Sequence, residues 1–326
     1  MGELVTVAIP VRNGGPVLAE LLDAVAAQAL EPGRSLELVV CDSGSQDNSV
    51  ALARSFGADV FEIAPELFSH GRTRNLLMER SRGRLVAFLT QDSVPAAASW
   101  LQELVAAFSL ADGVGLAFGP YRPRPEASPM VARELTEWFA SFSSPGEPRI
   151  DRLGPAERSA PARLLLGQRG FFTDANGCVS RAAWEQVPFR DVAYAEDHLL
   201  AHDMMRAGFA KVYMPGAAVV HSHEYSRRDW LRRSFDEARA MQEVYGWVAP
   251  ITPRATALEI WGSVGADRRW ACSNPPSGRR AGEVAVLLAR SFAHHLARTT
   301  GAALGARAAR LPPWLARAFS LERRDL

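Results

Sequence analysis

Paired acids at the start of a predicted helix are the clearest candidates for proton chemistry in this chain. Glu196 and Asp197 begin an amphipathic segment that runs to Ala207. Two adjacent acids in this position either complement the positive end of the helix dipole or supply a general base that deprotonates an acceptor hydroxyl. The spacing alone leaves both interpretations open.

A second group of residues has the ligand chemistry of a divalent cation. Asp92 follows an apolar segment that predicts a buried strand, and His221 and His223 follow the apolar pair at 219–220. A strand-end carboxylate and two imidazoles at i and i+2 suit Mn²⁺ or Mg²⁺ completed by phosphate oxygens. A turn-forming aspartate and two structural histidines are the alternative.

Two further groups have the chemistry of a nucleotide site. Asp42 ends a predicted strand and is followed by Ser43 and Gly44, so its carboxylate could accept from a base N–H or from ribose hydroxyls. The alternative for Asp42 is a turn or cap residue. Arg72 and Arg74 lie at the start of a predicted helix, where guanidinium groups and backbone N–H groups bind anions such as a diphosphate. Ordinary surface charge is the alternative for these two arginines.

The elements that must position these groups alternate between strand and helix patterns. Short apolar runs predict strands over 5–9, 36–41, 58–63, 85–89 and 114–118. Helical spacing of apolar residues is found over 17–29, 49–56, 73–81 and 100–108. This alternation predicts an α/β fold with a mainly parallel central sheet, in which ligands bind beyond the carboxyl ends of the strands.

The domain organisation that we predict is a main domain over 1–226 and a helical region over 227–326. The main domain includes a proline-rich excursion over 120–163, which contains one predicted helix and which we expect to pass over the site. The arginine-rich C-terminal region could rest on an anionic membrane surface. Packing against the main domain or against another subunit, as in a homodimer, is the alternative.

Composition excludes several classes of protein. Lys+Arg at 37 against Asp+Glu at 36 gives a net charge of +1, which argues against a dedicated nucleic-acid binder. Three widely spaced cysteines, no basic and apolar leader, and no apolar run of membrane-spanning length predict a cytoplasmic protein, at most peripheral on the inner face of the plasma membrane. The glycine-rich fingerprints of nicotinamide dehydrogenases and of P-loop nucleotidases are both missing.

The order of these motifs resembles the family 2 glycosyltransferases of the GT-A fold, and within them the rhamnosyltransferase-like branch. The segments Val7–Asn13 and Leu38–Asp47 are similar to the family's opening strand and to its base-contacting acid segment. His70–Asn75 and Leu89–Pro95 are similar to the rhamnosyltransferase-like branch. Segments 176–178, 195–197 and 221–226 then follow in family order.

The resemblance implies an inverting glycosyltransferase that moves a sugar, rhamnose among the candidates, from a dTDP- or UDP-sugar to an acceptor hydroxyl. The acceptor would be a saccharide or a lipid-linked saccharide in cell-surface polysaccharide synthesis. By the same resemblance Asp197 is the catalytic base, with Glu196 beside it, and Asp92 with His221 or His223 completes a metal shell. The residues that it assigns to the donor nucleotide are Pro10, Arg12, Asn13, Asp42, Ser43, Gly44, Arg72, Arg74 and Gln91.

One departure from the family pattern concerns the metal. The usual motif has an acid two positions before the second aspartate, and here Thr90 occupies that position. Dependence on Mn²⁺ or Mg²⁺ is therefore less firmly implied than sugar transfer. Two other functions fit a similar sheet, namely a silent nucleotide-sugar-binding protein and a sugar nucleotidyltransferase. The lysine-containing loop that opens a nucleotidyltransferase is absent from residues 10–15.

Overall fold

The structure, a computed structural model, describes residues 3–249, 252–274 and 281–322. The strands are β1 (Glu3–Val11), β2 (Arg34–Asp42), β3 (Asp59–Glu62), β4 (Leu85–Leu89), β5 (Val94–Pro95), β6 (Val114–Phe118), β7 (Tyr121–Arg122), β8 (Arg149–Asp151), β9 (Asn176–Ser180), β10 (Ala210–Tyr213) and β11 (Val219–Val220). The α-helices are α1 (Gly15–Ala26), α2 (Ser49–Ser55), α3 (His70–Arg80), α4 (Trp100–Ala106), α5 (Pro129–Ala140), α6 (Arg181–Trp184), α7 (Glu196–Ala207), α8 (Arg227–Tyr245), α9 (Pro253–Ser273), α10 (Ala281–Gly305) and α11 (Pro313–Phe319).

The central sheet has the strand order β3-β2-β1-β4-β9-β6-β10-β8 within the described residues. The pairs β1–β2, β1–β4, β2–β3 and β6–β10 are parallel, whereas β9 runs antiparallel to both of its neighbours and β8 runs antiparallel to β10. Leu89, at the end of β4, is paired with Asn176, at the start of β9. The residues that follow β1, β2, β4 and β6 and those that precede β9 therefore lie at one edge of the sheet.

Both faces of this sheet are covered. Val7 and Ile9 point to one face and pack in a cluster with Leu18 of α1, while the alternate residues Ala8 and Phe88 are equally buried. Continuous apolar strands of this kind form when neither face meets solvent. The α/β fold with a mainly parallel sheet that the sequence predicts is confirmed. The antiparallel β9 is a feature that the strand pattern alone did not indicate.

A small second sheet, with the order β5-β11-β7, extends the same edge. Val220 is paired with Val94 in an antiparallel ladder and with Arg122 in a parallel one. Asp92 lies two residues before Val94, and His221 follows Val220 directly. This short ladder therefore brings Asp92 and His221 towards each other, although the two residues are more than a hundred positions apart in sequence.

The excursion that the sequence places at 120–163 contains more regular structure than the one predicted helix. It includes β7, α5 and the edge strand β8, and two short 3₁₀ helices lie over Pro155–Ser159 and Ala162–Leu165. Lys211 of β10 holds the segment that follows, because its buried ammonium donates to the carbonyl oxygens of Gln168, Arg169 and Phe171. Asp151 of β8 lies 3.5 Å from the same ammonium.

The chain forms two compact units. The first comprises residues 1–124, 136–192 and 196–221, and the second comprises 125–135, 193–195 and 222–326. The second unit contains α8 to α11, of which α8 and α10 pack closely. The division of the chain at residue 226 stays a prediction, and the structure passes finally into the second unit at Ser222. Among the described helices, none combines the length and the apolar character needed to cross a membrane.

Candidate active site

Three carboxyl groups surround one buried guanidinium at the carboxyl edge of the central sheet. Arg74 of α3 is 2% exposed, and its Nε lies 2.5 Å from Oδ2 of Asp174 while its Nη2 donates to Oδ1 at 2.9 Å. Asp174 precedes β9, and Glu196, at the first turn of α7, lies within electrostatic reach of both Asp174 and Arg74. Asp197 follows Glu196 and is the most accessible of the three acids.

Burial changes the protonation of this acidic cluster. It raises the pKa of Asp197 to about 7, and the negative charge of Asp174 adds to the rise. Burial also raises the pKa of Asp174 and of Glu196, because an apolar environment disfavours the charged form. Arg74 opposes the rise by its positive charge. A carboxyl that titrates near neutral pH has the acidity that a general base needs.

The backbone immediately before these acids adopts a rare conformation. Ala195 has a φ of 63°, in the left-handed region that residues with a Cβ seldom occupy. Such strain concentrates at functional sites. The neighbouring His70 of α3 places its Nδ1 3.8 Å from Oε1 of Glu196.

Tyr121 of β7 connects this acidic cluster with the predicted metal residues. Its ring lies edge-on to His221, with 4.9 Å between centroids, and its hydroxyl is hydrogen-bonded to Thr173. Burial, together with the negative charges of Asp197, Asp174 and Asp92, raises the pKa of Tyr121. The phenol therefore lies within electrostatic reach of both the predicted base and the predicted metal-side acid, and it stays protonated at neutral pH.

Part of the predicted metal shell comes together in the first unit. Nδ1 of His221 lies 3.6 Å from Oδ1 of Asp92, so one imidazole nitrogen and one carboxylate oxygen converge. Thr90 does not replace the missing acid, because its hydroxyl is hydrogen-bonded to Ser93 at 2.7 Å within the turn. His223 lies in the second unit, where its ring stacks on Tyr225 with 5.2 Å between centroids. The donor pair of Asp92 and His221 is chemically suited to Mn²⁺ or Mg²⁺.

Several of the predicted nucleotide residues lie at the ends of β1 and β2 and on the loops that follow them. Asp42 is 2% exposed, and its Oδ2 accepts from the backbone N–H groups of Gly44 and Ser45. Gly44 has a φ of +88°, and a Cβ at this position would lie 2.6 Å from Pro65. The Asp42 carboxylate therefore builds its own turn, and its contact with a base stays a prediction.

The two loops are tied together by further hydrogen bonds. The backbone N–H of Asn13 donates to Ser45 at 2.8 Å, and the side-chain oxygen of Asn13 accepts from the backbone of Gln46. The backbone N–H of Arg12 donates to Oε1 of Gln91 at 2.7 Å, which joins the end of β1 to the end of β4. These bonds leave the exposed guanidinium of Arg12 at the same edge as Gln91.

The remaining predicted donor residues differ in their surroundings. Pro10 lies within β1, paired with Cys41 of β2, and Ser43 is buried with its hydroxyl bonded to the carbonyl oxygen of Val11. Arg72 is exposed at the first turn of α3, as an anion-binding arginine would be. Arg74 is held by Asp174 instead, so the structure gives no direct support to the diphosphate contact predicted for it.

Three residues of this site escaped the sequence analysis. Asp174 and Thr173 precede β9. Because β9 runs antiparallel to β4 and β6, its first residues lie at the carboxyl edge of those two strands. A strand assumed to be parallel would have placed them at the opposite edge. Tyr121 lies only three residues beyond β6, so the rule that polar groups after strands are site candidates could have found it.

Comparison with known proteins shows that this chain is similar in sequence to glycosyltransferases. The sequence model of Glycosyl transferase family 2 matches residues 6–161. The O-antigen chain rhamnosyltransferase RfbN of Salmonella typhimurium is 29% identical over 235 residues, which cover 71% of this chain and 70% of the relative. The O-antigen chain rhamnosyltransferase WbaN of Salmonella anatum is 27% identical over 236 residues, again covering 71% of this chain and 70% of the relative.

Solved structures share the fold at lower sequence identity. The mannosyltransferase PcManGT from Pyrobaculum calidifontis, in complex with GDP-Man and Mn²⁺, superposes with a TM-score of 0.58 at 18% identity, covering 95% of this chain and 87% of that one. S. aureus TarS 1-349 in complex with UDP-GlcNAc gives a TM-score of 0.51 at 13% identity, covering 95% and 92%. At these identities the likeness shows the fold, and the GT-A architecture predicted from the sequence is confirmed.

Proposed function

We propose that this chain, whose residues 6–161 match the model of Glycosyl transferase family 2, is an inverting enzyme that uses Asp197 as its base. Glycosyltransferase activity follows from the family match over residues 6–161 and from the rhamnosyltransferase relatives. The observation that carries the finer proposal is the partly exposed Asp197 carboxyl, whose pKa burial raises to about 7, beside the buried Arg74. Asp197 can accept a proton near neutral pH without a large free-energy cost.

In the proposed mechanism the ionised Asp197 takes the proton of an acceptor hydroxyl. The acceptor oxygen then attacks the anomeric carbon on the face opposite the departing nucleoside diphosphate, and one displacement inverts its configuration. The exposed Arg72 and Arg12 would bind the negative charge that develops on the leaving group. Tyr121 and the apolar rings behind it would exclude water from one side of the site.

A divalent cation is the cofactor that the donor set supports. Asp92 and His221 are the first-unit residues that would hold it, and we propose His223 as a third ligand. The cation, when bound, offsets negative charge on the diphosphate. The Mn²⁺ in the printed description of the mannosyltransferase neighbour is consistent with this choice of ion.

The donor that we propose is a dTDP- or UDP-sugar, with rhamnose as the first sugar to test. Rhamnose is chosen because both relatives are named as O-antigen chain rhamnosyltransferases. The acceptor that we propose is a saccharide or a lipid-linked saccharide in O-antigen or related polysaccharide synthesis. The buried Cys41 and Cys178 and the exposed Cys272 are all free thiols, which supports our proposal of a reducing cytoplasmic location.

Contact of the second unit with an anionic membrane is a further proposal about location. Leu258 and Trp261 of α9 and Trp314 of α11 are 67%, 62% and 70% exposed, and Arg268 is exposed on α9 as well. Exposed aromatic and basic side chains bind interfacial lipid. Flotation with phosphatidylglycerol vesicles tests this contact, and size-exclusion chromatography tests a homodimer that would cover the same residues.

The proposed reaction is tested by nucleoside diphosphate release from a panel of dTDP-, UDP- and GDP-sugars, with and without Mn²⁺. We expect release from one donor class, accelerated by a saccharide acceptor. Donor binding without release would indicate a silent binding protein. Pyrophosphate formation from a nucleoside triphosphate and a sugar 1-phosphate would indicate a nucleotidyltransferase, and either result would overturn the proposal.

A further inference from the structure

A second group of metal-ligating side chains lies within the second unit and shares no residue with the site described above. Glu134 of α5 and the adjacent His294 and His295 of α10 each offer one ligand atom, and these atoms lie within 4.8 Å of one another. All three residues belong to the second unit. One carboxylate and two imidazoles are a common donor set for a transition-metal ion in proteins.

The helices that carry this group place polar side chains on faces that pack inside the unit. Ser291, His294 and His295 stand at i, i+3 and i+4 of α10, so they share one face of the helix, and all three are buried. Asp267 is fully buried on α9 among the apolar residues of its inner face. Buried polar groups are costly unless they have partners, so each of these side chains requires one. An apolar cluster also joins α5, α9 and α10, and its members are Met130, Ala271 and Leu287.

Asp267 fixes the orientation of the His295 ring. Its Oδ2 lies 2.7 Å from Nε2 of His295 and accepts from the Ser291 hydroxyl at 2.6 Å, while its Oδ1 accepts from Nε of Arg133 at 2.6 Å. Burial alone would raise the pKa of Asp267, but these three hydrogen bonds hold the pKa below its ordinary value. The ionised carboxylate makes Nε2 of His295 the donor, so in the neutral ring Nδ1 carries a lone pair. That Nδ1 lies 3.7 Å from Oε1 of Glu134.

His294 presents a buried nitrogen that lacks a hydrogen bond. Among the described residues its Nε2 has no hydrogen-bond partner, and it lies 3.7 Å from Oε2 of Glu134, beyond hydrogen-bond distance. Trp230 of α8 packs edge-on against the ring, with 4.7 Å between centroids. A buried nitrogen without a partner costs free energy, and a bound ion would remove that cost. Both histidines of α10 therefore place a ring nitrogen beside the Glu134 carboxylate.

The separations between these donors suit a zinc ion. Zn²⁺ binds nitrogen and oxygen donors at about 2.0–2.2 Å, so two ligands at the tetrahedral angle lie about 3.4 Å apart. The separations of 3.7 Å that join Glu134 to His294 and to His295 are close to this value. Two imidazoles favour Zn²⁺ over Mg²⁺, which prefers oxygen donors. The contact of His295 with Asp267 is also the contact with a carboxylate that commonly orients a metal-bound imidazole.

Two arginines balance the charges of the two carboxylates. Arg298 donates to Oε2 of Glu134, and Arg133 donates to Oδ1 of Asp267. A bound ion therefore brings its own positive charge into a buried region, which is costly unless that charge is offset. An anion such as hydroxide or chloride in the fourth coordination position would offset part of it.

We propose that Glu134, His294 and His295 bind Zn²⁺ and that the ion joins α5 to α10. The ligand atoms are Oε1 of Glu134, Nε2 of His294 and Nδ1 of His295, and Asp267 positions the His295 ring. This zinc site is separate from the Mn²⁺ or Mg²⁺ site proposed for the donor, and it does not rest on the proposed reaction. A hydrogen-bond network that binds no ion is the alternative.

Calorimetric titration of Zn²⁺ into EDTA-treated and dialysed protein tests the site. The parent protein for this titration is the full chain with Asp92→Ala and His221→Ala, which remove the proposed ligands of the first unit. We expect the parent protein to bind one Zn²⁺ per chain. Adding His294→Leu or Glu134→Gln should lower the affinity for Zn²⁺ at least about a hundredfold, because each substitution removes one of three ligands.

Glu243→Gln in the same parent protein is the matched control. Glu243 is an exposed acid of α8, so its replacement removes one negative charge without changing a ligand. We expect the affinity for Zn²⁺ to stay within about twofold, because an exposed charge is screened by salt. A parent protein that binds no Zn²⁺ would overturn the proposal, as would binding that survives unchanged in both His294→Leu and Glu134→Gln.

Thermal unfolding keeps the proposal testable if a ligand variant does not fold. We expect Tm of the parent protein to rise by several degrees when Zn²⁺ replaces EDTA, because an ion that binds only the folded state stabilises it. Mg²⁺ should not reproduce this rise. Equal Tm values in Zn²⁺ and in EDTA would overturn the proposal. No nucleotide sugar is present in either measurement, so both results are independent of whether the proposed transfer reaction is correct.

Discussion

At the scale of single residues, our proposal makes the protonation of Asp197 the condition for catalysis. Burial raises the pKa of this carboxyl to about 7, so it is largely protonated at pH 6 and largely ionised at pH 8. A general base works only in its ionised form. We therefore predict that kcat/KM of the wild-type enzyme rises with pH through about 7 and levels off above it.

The control for this profile is the affinity of the enzyme for the donor, measured by titration calorimetry at pH 6 and pH 8. We expect this affinity to change little between the two pH values. An acid limb near pH 4, the ordinary range of an exposed aspartate, would show that the buried base is not Asp197.

A second residue-scale prediction concerns the metal-side acid. Asp92→Ala removes the carboxylate that lies 3.6 Å from Nδ1 of His221. Of the two proposed metal ligands in the first unit, His221 alone then remains. We predict that donor affinity measured in Mn²⁺ falls at least tenfold, because Asp92 would no longer help to hold the cation that offsets the charge of the diphosphate. Affinity measured in EDTA should be the same in the variant and the wild type.

Asp112→Ala serves as the control for the loss of one negative charge, since Asp112 is an exposed acid of the same unit. Its donor affinity should not change in Mn²⁺. If Asp92→Ala binds the donor as tightly as the wild type in Mn²⁺, Asp92 is a turn residue and has no metal role.

At the scale of elements, Lys211 fixes the segment that leads into Asp174. It is the one lysine of the sequence, it is fully buried, and it donates to three backbone carbonyl groups. We predict that Lys211→Met lowers the free energy of unfolding by about 3 kcal/mol, because three carbonyl groups and Asp151 lose their partner. Urea denaturation measures this change.

Arg163→Met is the comparison for the Lys211 variant. Arg163 is an exposed cation in the same excursion, and replacing it should change the free energy of unfolding by less than about 0.5 kcal/mol. Equal effects of the two substitutions would mean that the contacts of Lys211 contribute nothing beyond its charge.

Glycines allow the helices of the second unit to approach closely. A Cβ at Gly305 of α10 would lie 2.0 Å from the carbonyl oxygen of Phe235 in α8. Because that contact is with backbone, we predict that Gly305→Ala lowers the free energy of unfolding by about 2 kcal/mol. At Gly262 of α9, an added Cβ would have no neighbouring atom within 4 Å. Gly262→Ala should therefore stabilise the protein by about 0.5 kcal/mol.

Urea denaturation of both glycine variants tests the packing of α8 and α10. Stabilisation by both substitutions would show that these two helices are not in close contact at Gly305. Destabilisation by both would mean that the helix propensity of alanine does not dominate at the open position of α9.

Local patterns in the sequence were enough to predict most elements of the first unit. The predicted limits of β4 and β6 are those observed, because each is a short apolar run between turn residues. Helix α3 begins at His70, earlier than the predicted residue 73, because the Ser69 hydroxyl caps it by accepting from Arg72. Strand direction is a tertiary property, and nothing in the five residues of β9 indicates it.

At the scale of the whole molecule, the motif order predicted the family, but the partners of individual residues could not be predicted. Spacing identified Asp42, Asp92 and Asp197 as candidates because each follows or begins an element at one edge. The bonds of Asp42 to the backbone of its own turn are local, and they match the turn alternative that the sequence left open for this residue. The contact of Arg74 with Asp174 joins residues 100 positions apart, beyond the reach of local pattern.

The central claim is that Asp197 deprotonates the acceptor in a transfer from a nucleoside-diphosphate sugar. The most direct test compares the wild-type enzyme with Asp197→Asn in a coupled assay of nucleoside diphosphate release at pH 8, with donor affinity measured by calorimetry. We predict that kcat falls by about 10²- to 10⁴-fold in the variant while donor affinity stays within about twofold. A variant that turns over at nearly the wild-type rate would contradict the account.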